Sequence, residues 1–190
     1  MDPGSRHTGW ALVVRTNGRF QVEAAGVIHT DPEAGMASRL AQILRELRAV
    51  ALGHRATAAS VEAIFSHRSA QSALVLGQAR GVALAALAEA GLPVHEYNAS
   101  VIKQSVAGSG KADKAQIGRM VQMLLGESAQ SPMLSSEHAR DACAIAMTHH
   151  LHAGRVLALG VVKRTRKLDP RSPASWGVKV PAVPALKVPG

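Results

Sequence analysis

The first third of the chain has the pattern of two strands followed by a helix. An apolar run at residues 10–15 and a second one at 20–29 flank the turn dipeptide Asn17-Gly18. Two such runs around this dipeptide predict a β-hairpin. Apolar residues then recur at three- and four-residue intervals over residues 36–52, which predicts an amphipathic helix.

Short apolar strands and helices alternate after this point. Residues 58–63 and 93–97 predict strands, separated by a long Ala-rich helix at 69–90. Three more helices are predicted at 99–106, 113–125 and 137–152. A hairpin followed by strands separated by helices predicts an α/β domain with a mixed sheet and helices on both faces.

Charge divides the chain into two parts. Of the 190 residues, those from Lys163 onward include seven basic residues and one acid, whereas the preceding part carries 15 basic and 12 acidic residues. We therefore expect one domain over residues 1–155 and a basic, Pro-rich flexible tail over 156–190. The formal net charge of +9 indicates a polyanionic partner such as nucleic acid.

The cellular compartment is indicated by cysteine usage and hydropathy. Cys143 is the single cysteine, so an internal disulfide is excluded, which is typical of a reducing compartment. The sequence contains no signal peptide and no apolar run of membrane-spanning length. We expect a cytoplasmic protein with no membrane partner.

Three acidic residues have positions that favour a joint role. Asp2 opens a Gly-containing turn, Glu62 ends an apolar strand, and Asp141 lies among small apolar residues on the last helix. Each alone also fits an ordinary turn, strand-end or helix-face charge. Carboxylates that converge at one edge of an α/β sheet repel one another unless a cation joins them. Oxygen ligands of this kind favour Mg²⁺, which keeps waters and substrate phosphate as its other ligands.

Two further residues compete for a place beside Asp141. His138 lies three residues before Asp141 and Glu137 four residues before it, and both spacings place a side chain on its face of the helix. His138 could bind a metal or carry a proton. Cys143 points to the opposite face, and we interpret it as a packing residue.

Four segments resemble one family of nucleases. The segments are DPGSRHTGW, VEAIFSHRSAQSALVLGQARGVALAA, PVHEYNASVIKQSVAGSGKADKAQIGRMV and HARDACAIAMTHH. Together they resemble the RuvC-type Holliday-junction resolvases, in order and without large gaps from Asp2 to about His152. The resemblance implies a ribonuclease-H-like fold with a five-stranded mixed sheet. It also implies a homodimer that makes paired symmetric nicks in four-way DNA junctions during recombination and repair.

The resemblance assigns roles to the candidate residues. Asp2, Glu62 and Asp141 match its metal-binding carboxylates, for Mg²⁺ with Mn²⁺ as a substitute and two ions per subunit. His138 matches a position with Asp or His, which favours it over Glu137. The resemblance also implies a branch-migration helicase as a partner.

The same resemblance also implies which residues contact DNA. Phe65 matches an aromatic near the junction centre, with packing beside Ile64 as the alternative. Lys103 and Lys114 match basic positions near the DNA backbone. Lys111 ends the loop Gly108-Ser-Gly-Lys, which lacks the glycine and the hydroxyl residue of a P-loop but could meet a DNA phosphate through backbone N–H groups.

The first strand of the family pattern is truncated in this sequence. Family members carry a short apolar strand before the first aspartate, whereas only Met1 precedes Asp2 here. We hypothesise that the native product begins several residues upstream. Intact-mass analysis of the endogenous protein that gives Met1 or Asp2 as its first residue would contradict this hypothesis.

Two other functions fit parts of the pattern. A non-catalytic junction-binding protein would keep the basic surface without a working metal site; the truncated first strand favours it and the full acidic set opposes it. Another ribonuclease-H-like nuclease would act on RNA–DNA hybrids or RNA. The Phe65 segment and the GQARG helix favour the resolvase over that alternative.

Overall fold

The structure is a computed structural model that describes residues 1–54, 56–63 and 69–158. The strands are β1 His7–Thr16, β2 Arg19–His29, β3 Ala59–Ala63 and β4 Val94–Asn98. The helices are α1 Met36–Gly53, α2 Ala70–Glu89, α3 Ala99–Ala107, α4 Lys114–Leu125 and α5 Glu137–Ala158. Two 3-10 turns, Gly126–Gln130 and Pro132–Leu134, connect α4 to α5. Every predicted helix and strand is present, and α5 continues beyond its predicted end.

The strands form two pairs. β1 and β2 are antiparallel, from His7 opposite His29 to Thr16 opposite Arg19. Asn17 and Gly18 both have positive φ, 53° and 82°, as a two-residue hairpin turn requires. β3 and β4 are parallel, so the described strands make up the mixed arrangement that the sequence predicts.

Met1 and Asp2 connect the two strand pairs. Asp2 exchanges both backbone hydrogen bonds with Gly9 of β1, at 2.9 Å each. The Met1 amino group donates to the Ser60 carbonyl of β3 at 3.0 Å, and Glu62 N donates to the Met1 carbonyl at 3.3 Å. Within the described residues the sheet therefore has four strands instead of the five that the resemblance implies, and Met1 and Asp2 take the position between β1 and β3.

Helices pack on both faces of this sheet. One cluster joins β1 and β2 to α3, α4 and α5; it includes Val13, Phe20, Ile102, Val121 and Met147. The other joins β3 to α1 and α2; it includes Met1, Ile43, Leu47, Val61 and Ala83. Burial of a large apolar side chain stabilises a fold by about 1.5–3 kcal/mol, so these two layers hold the strand ends in place.

The start of α5 lies unusually close to β1. A Cβ added at Gly9 would come within 2.1 Å of the His138 carbonyl oxygen. The absence of a side chain at Gly9 thus allows helix and strand backbones to touch, beside the residue that pairs with Asp2. Among the described residues, none of the helices has both the length and the apolar composition needed to cross a bilayer.

Replacement of Gly9 by alanine should therefore be costly. Gly9→Ala should lower the free energy of unfolding by about 1–3 kcal/mol, because the new methyl group displaces α5 from β1. Gly118→Ala is the control: this helical position in α4 has no atom within 4 Å of an added Cβ, and the change should stabilise by about 0.4–1 kcal/mol. Urea unfolding measures both, and unaltered stability of Gly9→Ala would contradict the close contact.

Candidate functional site

The loop after Asp2 is closed by its own hydrogen bonds. The buried Thr8 hydroxyl donates to the Gly4 carbonyl at 2.7 Å and accepts from Gly4 N at 3.4 Å. A Cβ at Gly4 would come within 2.4 Å of the His7 carbonyl oxygen, so this tight turn needs glycine. Asp2 is thereby held at the edge of β1.

Arg39 anchors this loop to α1. Its guanidinium is buried and donates to the Ser5 carbonyl at 2.7 Å and the Ser5 hydroxyl at 3.0 Å. Its Nε donates to the Thr30 hydroxyl at 3.2 Å. A buried guanidinium is tolerated when its N–H groups are satisfied in this way. The sequence analysis missed Arg39, although an arginine on the inward face of an amphipathic helix is a detectable signal.

Glu62 lies near the carboxyl end of β3, as predicted. Arg80 of α2 donates to the Glu62 carbonyl at 3.2 Å and forms an ion pair with Glu96 on β4. Burial raises the pKa of the Glu62 carboxyl, and the charges of Asp2 and Asp141 raise it further. Asp2 and Asp141, which come from distant parts of the chain, are thus close enough to influence the ionisation of Glu62.

The pKa of the Asp141 carboxyl is subject to opposing effects. Burial raises its pKa, whereas the nearby Lys114 ammonium lowers it and the Asp2 charge raises it. Lys114 Nζ lies 3.5 Å from an Asp141 carboxylate oxygen and also pairs with Glu137. Because this lysine side chain is 67 % exposed, it can leave the carboxylates without disturbing the core.

A cavity of about 280 Å³ is lined by two of the predicted acids and two of the predicted basic residues. Glu62, Asp141, Lys103 and Lys114 line it, together with apolar side chains of α3, α4 and α5. Carboxylates and ammonium groups in the lining of one cavity match the two needs of a phosphodiester substrate, a cation site and phosphate contacts.

His138 is the residue that contacts Asp2. Its Nδ1 lies 3.0 Å from an Asp2 carboxylate oxygen, whereas Glu137 pairs with Lys114. This geometry favours His138 over Glu137 as the fourth polar group beside the acids.

Two histidines that the sequence analysis missed lie behind His138. The His7 and His29 Nδ1 atoms are 3.0 Å apart. The His7 ring stacks on the His138 ring, with centroids 5.3 Å apart and an interplanar angle of 29°. The proximity of His7 and His29 follows from the strand register, which shifts by one residue between Leu12 and Val13. This bulge has no clear signal in the sequence.

The remaining candidates fall in two groups. Lys111 is exposed in the loop between α3 and α4, and Lys114 begins α4 directly after the capping residue Asp113. Cys143 is fully buried, and burial raises the pKa of its thiol to about 12, which confirms its interpretation as a packing residue. Phe65 and residues 159–190 of the predicted tail lie outside the described residues.

Metal binding at these acids would need ligands from outside the protein. Within residues 1–54, 56–63 and 69–158, no three His, Cys, Asp or Glu side chains converge into a ready-made metal cage. The donor set still fits a hard divalent cation, because carboxylates whose pKa is raised by burial and by neighbouring negative charge are relieved by positive charge. Mg²⁺ suits such an open set, since it keeps water and substrate phosphate among its ligands.

The crowding of carboxylates has a measurable cost in the metal-free protein. Since the folded state raises the pKa of Glu62, ionisation of this carboxyl destabilises the fold as pH rises through the folded pKa. Glu62→Gln should therefore raise the free energy of unfolding in EDTA at neutral pH. The gain should vanish as pH falls below the ordinary carboxyl range, where Glu62 itself is protonated.

Urea unfolding across this pH range measures the effect. Glu23→Gln, at an exposed position of β2, is the matched control and should change stability little. A Glu62→Gln protein that is less stable than the unaltered chain at neutral pH would refute the crowding.

Comparison with known proteins identifies the family of the chain. The family model described as crossover junction endodeoxyribonuclease RuvC matches residues 1–149. The chain is 44 % identical to the crossover junction endodeoxyribonuclease RuvC of Zymomonas mobilis over 87 % of this chain and 96 % of that protein. It is 50 % identical to the protein of that name from Anaeromyxobacter dehalogenans over 78 % of this chain and 77 % of that one.

A solved structure shares the fold. Thermus thermophilus RuvC in complex with a Holliday junction substrate superposes with a TM-score of 0.73 at 33 % identity, covering 80 % of this chain and 91 % of that one. The predicted ribonuclease-H-like α/β class is thereby confirmed. With the profile match and these relatives, the chain belongs to the RuvC family of crossover junction endodeoxyribonucleases.

Proposed function

We propose that this protein is a metal-dependent endonuclease that resolves four-way DNA junctions. The observation that carries the proposal is the set of Asp2, Glu62 and Asp141, whose charges act on one another beside a cavity lined by two lysines. Membership of the RuvC family supports the choice of junction DNA as the substrate. The acidic set favours an enzyme over a protein that only binds junctions.

Asp2, Glu62, Asp141 and His138 would hold the metal. The proposed ions are Mg²⁺, with Mn²⁺ as a substitute, at two ions per subunit. Bound there, a divalent cation lowers the pKa of the attacking water and offsets charge on the leaving oxygen. The donor chemistry supports this, because three carboxylates provide hard oxygen ligands, with one imidazole beside them, without a closed cage.

Lys114 would act differently in the free and bound protein. In the free protein its ammonium offsets the charge of Asp141 and Glu137. With a metal ion and DNA bound, the carboxylates no longer need this counter-charge, and the exposed lysine is available to a phosphate. Lys103 lines the same cavity, and Lys111 lies in the loop that leads to Lys114; both would make further phosphate contacts.

Paired nicks would require two copies of the chain. A two-fold homodimer matches the pseudo-symmetry of a four-way junction, with one site for each of two strands of like polarity. Phe65 would meet the junction centre, and a branch-migration helicase would act beside the dimer in recombination and repair.

Asp141→Asn should abolish cleavage and leave junction binding nearly intact. The substitution removes a proposed metal ligand but none of the proposed phosphate contacts. Cleavage of a synthetic junction in Mg²⁺ and gel-shift binding in EDTA measure the two effects separately. Asp31→Asn, in the exposed loop before α1, should behave like the unaltered chain. A loss of binding beyond about tenfold, or 1.4 kcal/mol, would contradict a purely catalytic role.

Lys114→Ala should weaken junction binding and reduce its salt dependence. Loss of one phosphate contact lowers the slope of log affinity against log salt by about one. The control is Arg48→Ala, because Arg48 pairs with Glu89 on α2 and is not a proposed DNA contact. An unchanged salt slope in Lys114→Ala would remove this lysine from the interface.

A further inference from the structure

Three imidazole rings and one carboxylate form a continuous row at the edge of the site. His29 contacts His7, His7 stacks on His138, and His138 contacts Asp2. The first two rings come from neighbouring strands of the hairpin and the third from α5. The row therefore joins the hairpin to the candidate catalytic groups through side chains.

The two rings that the hairpin contributes to the row contact each other across the strands. His7 and His29 are direct cross-strand partners, and their Nδ1 atoms lie 3.0 Å apart. Because both atoms are ring nitrogens, one must donate and the other accept, which relates the tautomers of the two rings. The His29 backbone carbonyl also accepts a hydrogen bond from Gln42 of α1 at 3.0 Å, so the strand backbone that carries one ring of the pair is tied to a helix.

The His138 side chain is less constrained than its backbone. Its backbone is fixed by the close approach of Gly9, but its side chain is 42 % exposed and lies in the first turn of α5. Besides the hydrogen bond to Asp2, its stacking contact with His7 limits how the ring turns. Loss of this contact would leave a single hydrogen bond to an acid that also faces Glu62 and Asp141.

We propose that His7, held by His29, is a positioning residue that fixes the His138 ring against Asp2. The inference rests on the proposed function, in which His138 serves the nuclease reaction. His7 and His29 touch neither the substrate nor the reacting atoms in this proposal; they act through His138. Outer residues that orient a ligating histidine typically contribute about 10–100-fold to metal affinity or activity.

The orientation of the ring can be observed without metal or DNA. Nitrogen-15 NMR of the metal-free protein reports the tautomer of His138. His7→Ala should shift the His138 nitrogen signals toward an average of the two tautomers, because the ring is free to turn. His7→Phe keeps a flat ring against His138 and should preserve most of the original signals.

The control for the NMR measurement is His54→Ala. His54 also contacts an aromatic ring, that of Trp10 at 5.9 Å, but it lines a different cavity. Its replacement should leave the His138 signals unchanged. Unchanged His138 signals in folded His7→Ala, with its melting temperature as the check on folding, would overturn the proposal.

A double-mutant cycle tests the consequence for the reaction. In single-turnover cleavage of a junction, His7→Ala should cut about 10–100-fold more slowly with unaltered junction affinity. In the His138→Asp background, where there is no ring to orient, the same substitution should have no further effect. Asp is the other residue that the family resemblance gives at this position.

The cycle shows whether His7 acts through His138 or through another group. An equal loss of rate in both backgrounds, or a loss of junction affinity that parallels the loss of rate, would show that His7 acts on something other than His138. If the unaltered chain does not cut junctions at all, the proposed function fails, and the NMR result alone decides whether His7 positions His138.

Discussion

The backbone hydrogen bonds made by Met1 and Asp2 are the constraint on which the site depends. They tie β1 to β3, and so place the hairpin with Asp2 beside the strand that carries Glu62. In the 190-residue chain this connection has an electrostatic cost, because burial lowers the pKa of the Met1 amino group to about 6, and the nearby Asp2 charge offsets part of the cost by favouring the ammonium form. Two residues thus connect the two strand pairs and bring the Asp2 carboxylate close enough to Glu62 and Asp141 to raise the pKa of both.

The carboxylates illustrate how function opposes stability. Glu62 and Asp141 would ionise more easily elsewhere, since burial and the Asp2 charge raise the pKa of both and the Asp141 charge raises that of Glu62 further. Lys114 reduces this repulsion from an exposed position, where it is easily displaced. The folded chain therefore keeps its acids close together in a state that an incoming cation would relieve. Such stored repulsion is common at sites built for ligands.

Much of the fold and part of the site follow from local patterns. The Asn17-Gly18 turn, the period of α1 and the alternation of strands and helices are sufficient to predict the described strands and α-helices, but not the two 3-10 turns between α4 and α5. Glu62 and Asp141 were predicted because a strand end and a run of small residues are unusual places for an acid, and the family resemblance added their roles. Those roles remain predictions, as does the role of Phe65.

Other features depend on tertiary contacts that no local pattern contains. Helical spacing puts Glu137 and His138 on the same face as Asp141, and their different contacts emerge only when Lys114 and Asp2 arrive from distant parts of the chain. The pairing of His7 with His29 depends on a one-residue bulge. Arg39 is a buried anchor only because the loop at Ser5 folds over α1.

Cleavage of a synthetic four-way junction by the unaltered 190-residue chain tests the central claim most directly. The substrates are the junction, a plain duplex of the same sequence and an RNA–DNA hybrid, each with Mg²⁺ or Mn²⁺ and with EDTA. The account predicts paired symmetric nicks in the junction alone, and only with metal present. Tight junction binding without cleavage in either metal would contradict it in favour of a binding protein. Equal cutting of the hybrid would contradict it in favour of another ribonuclease-H-like nuclease.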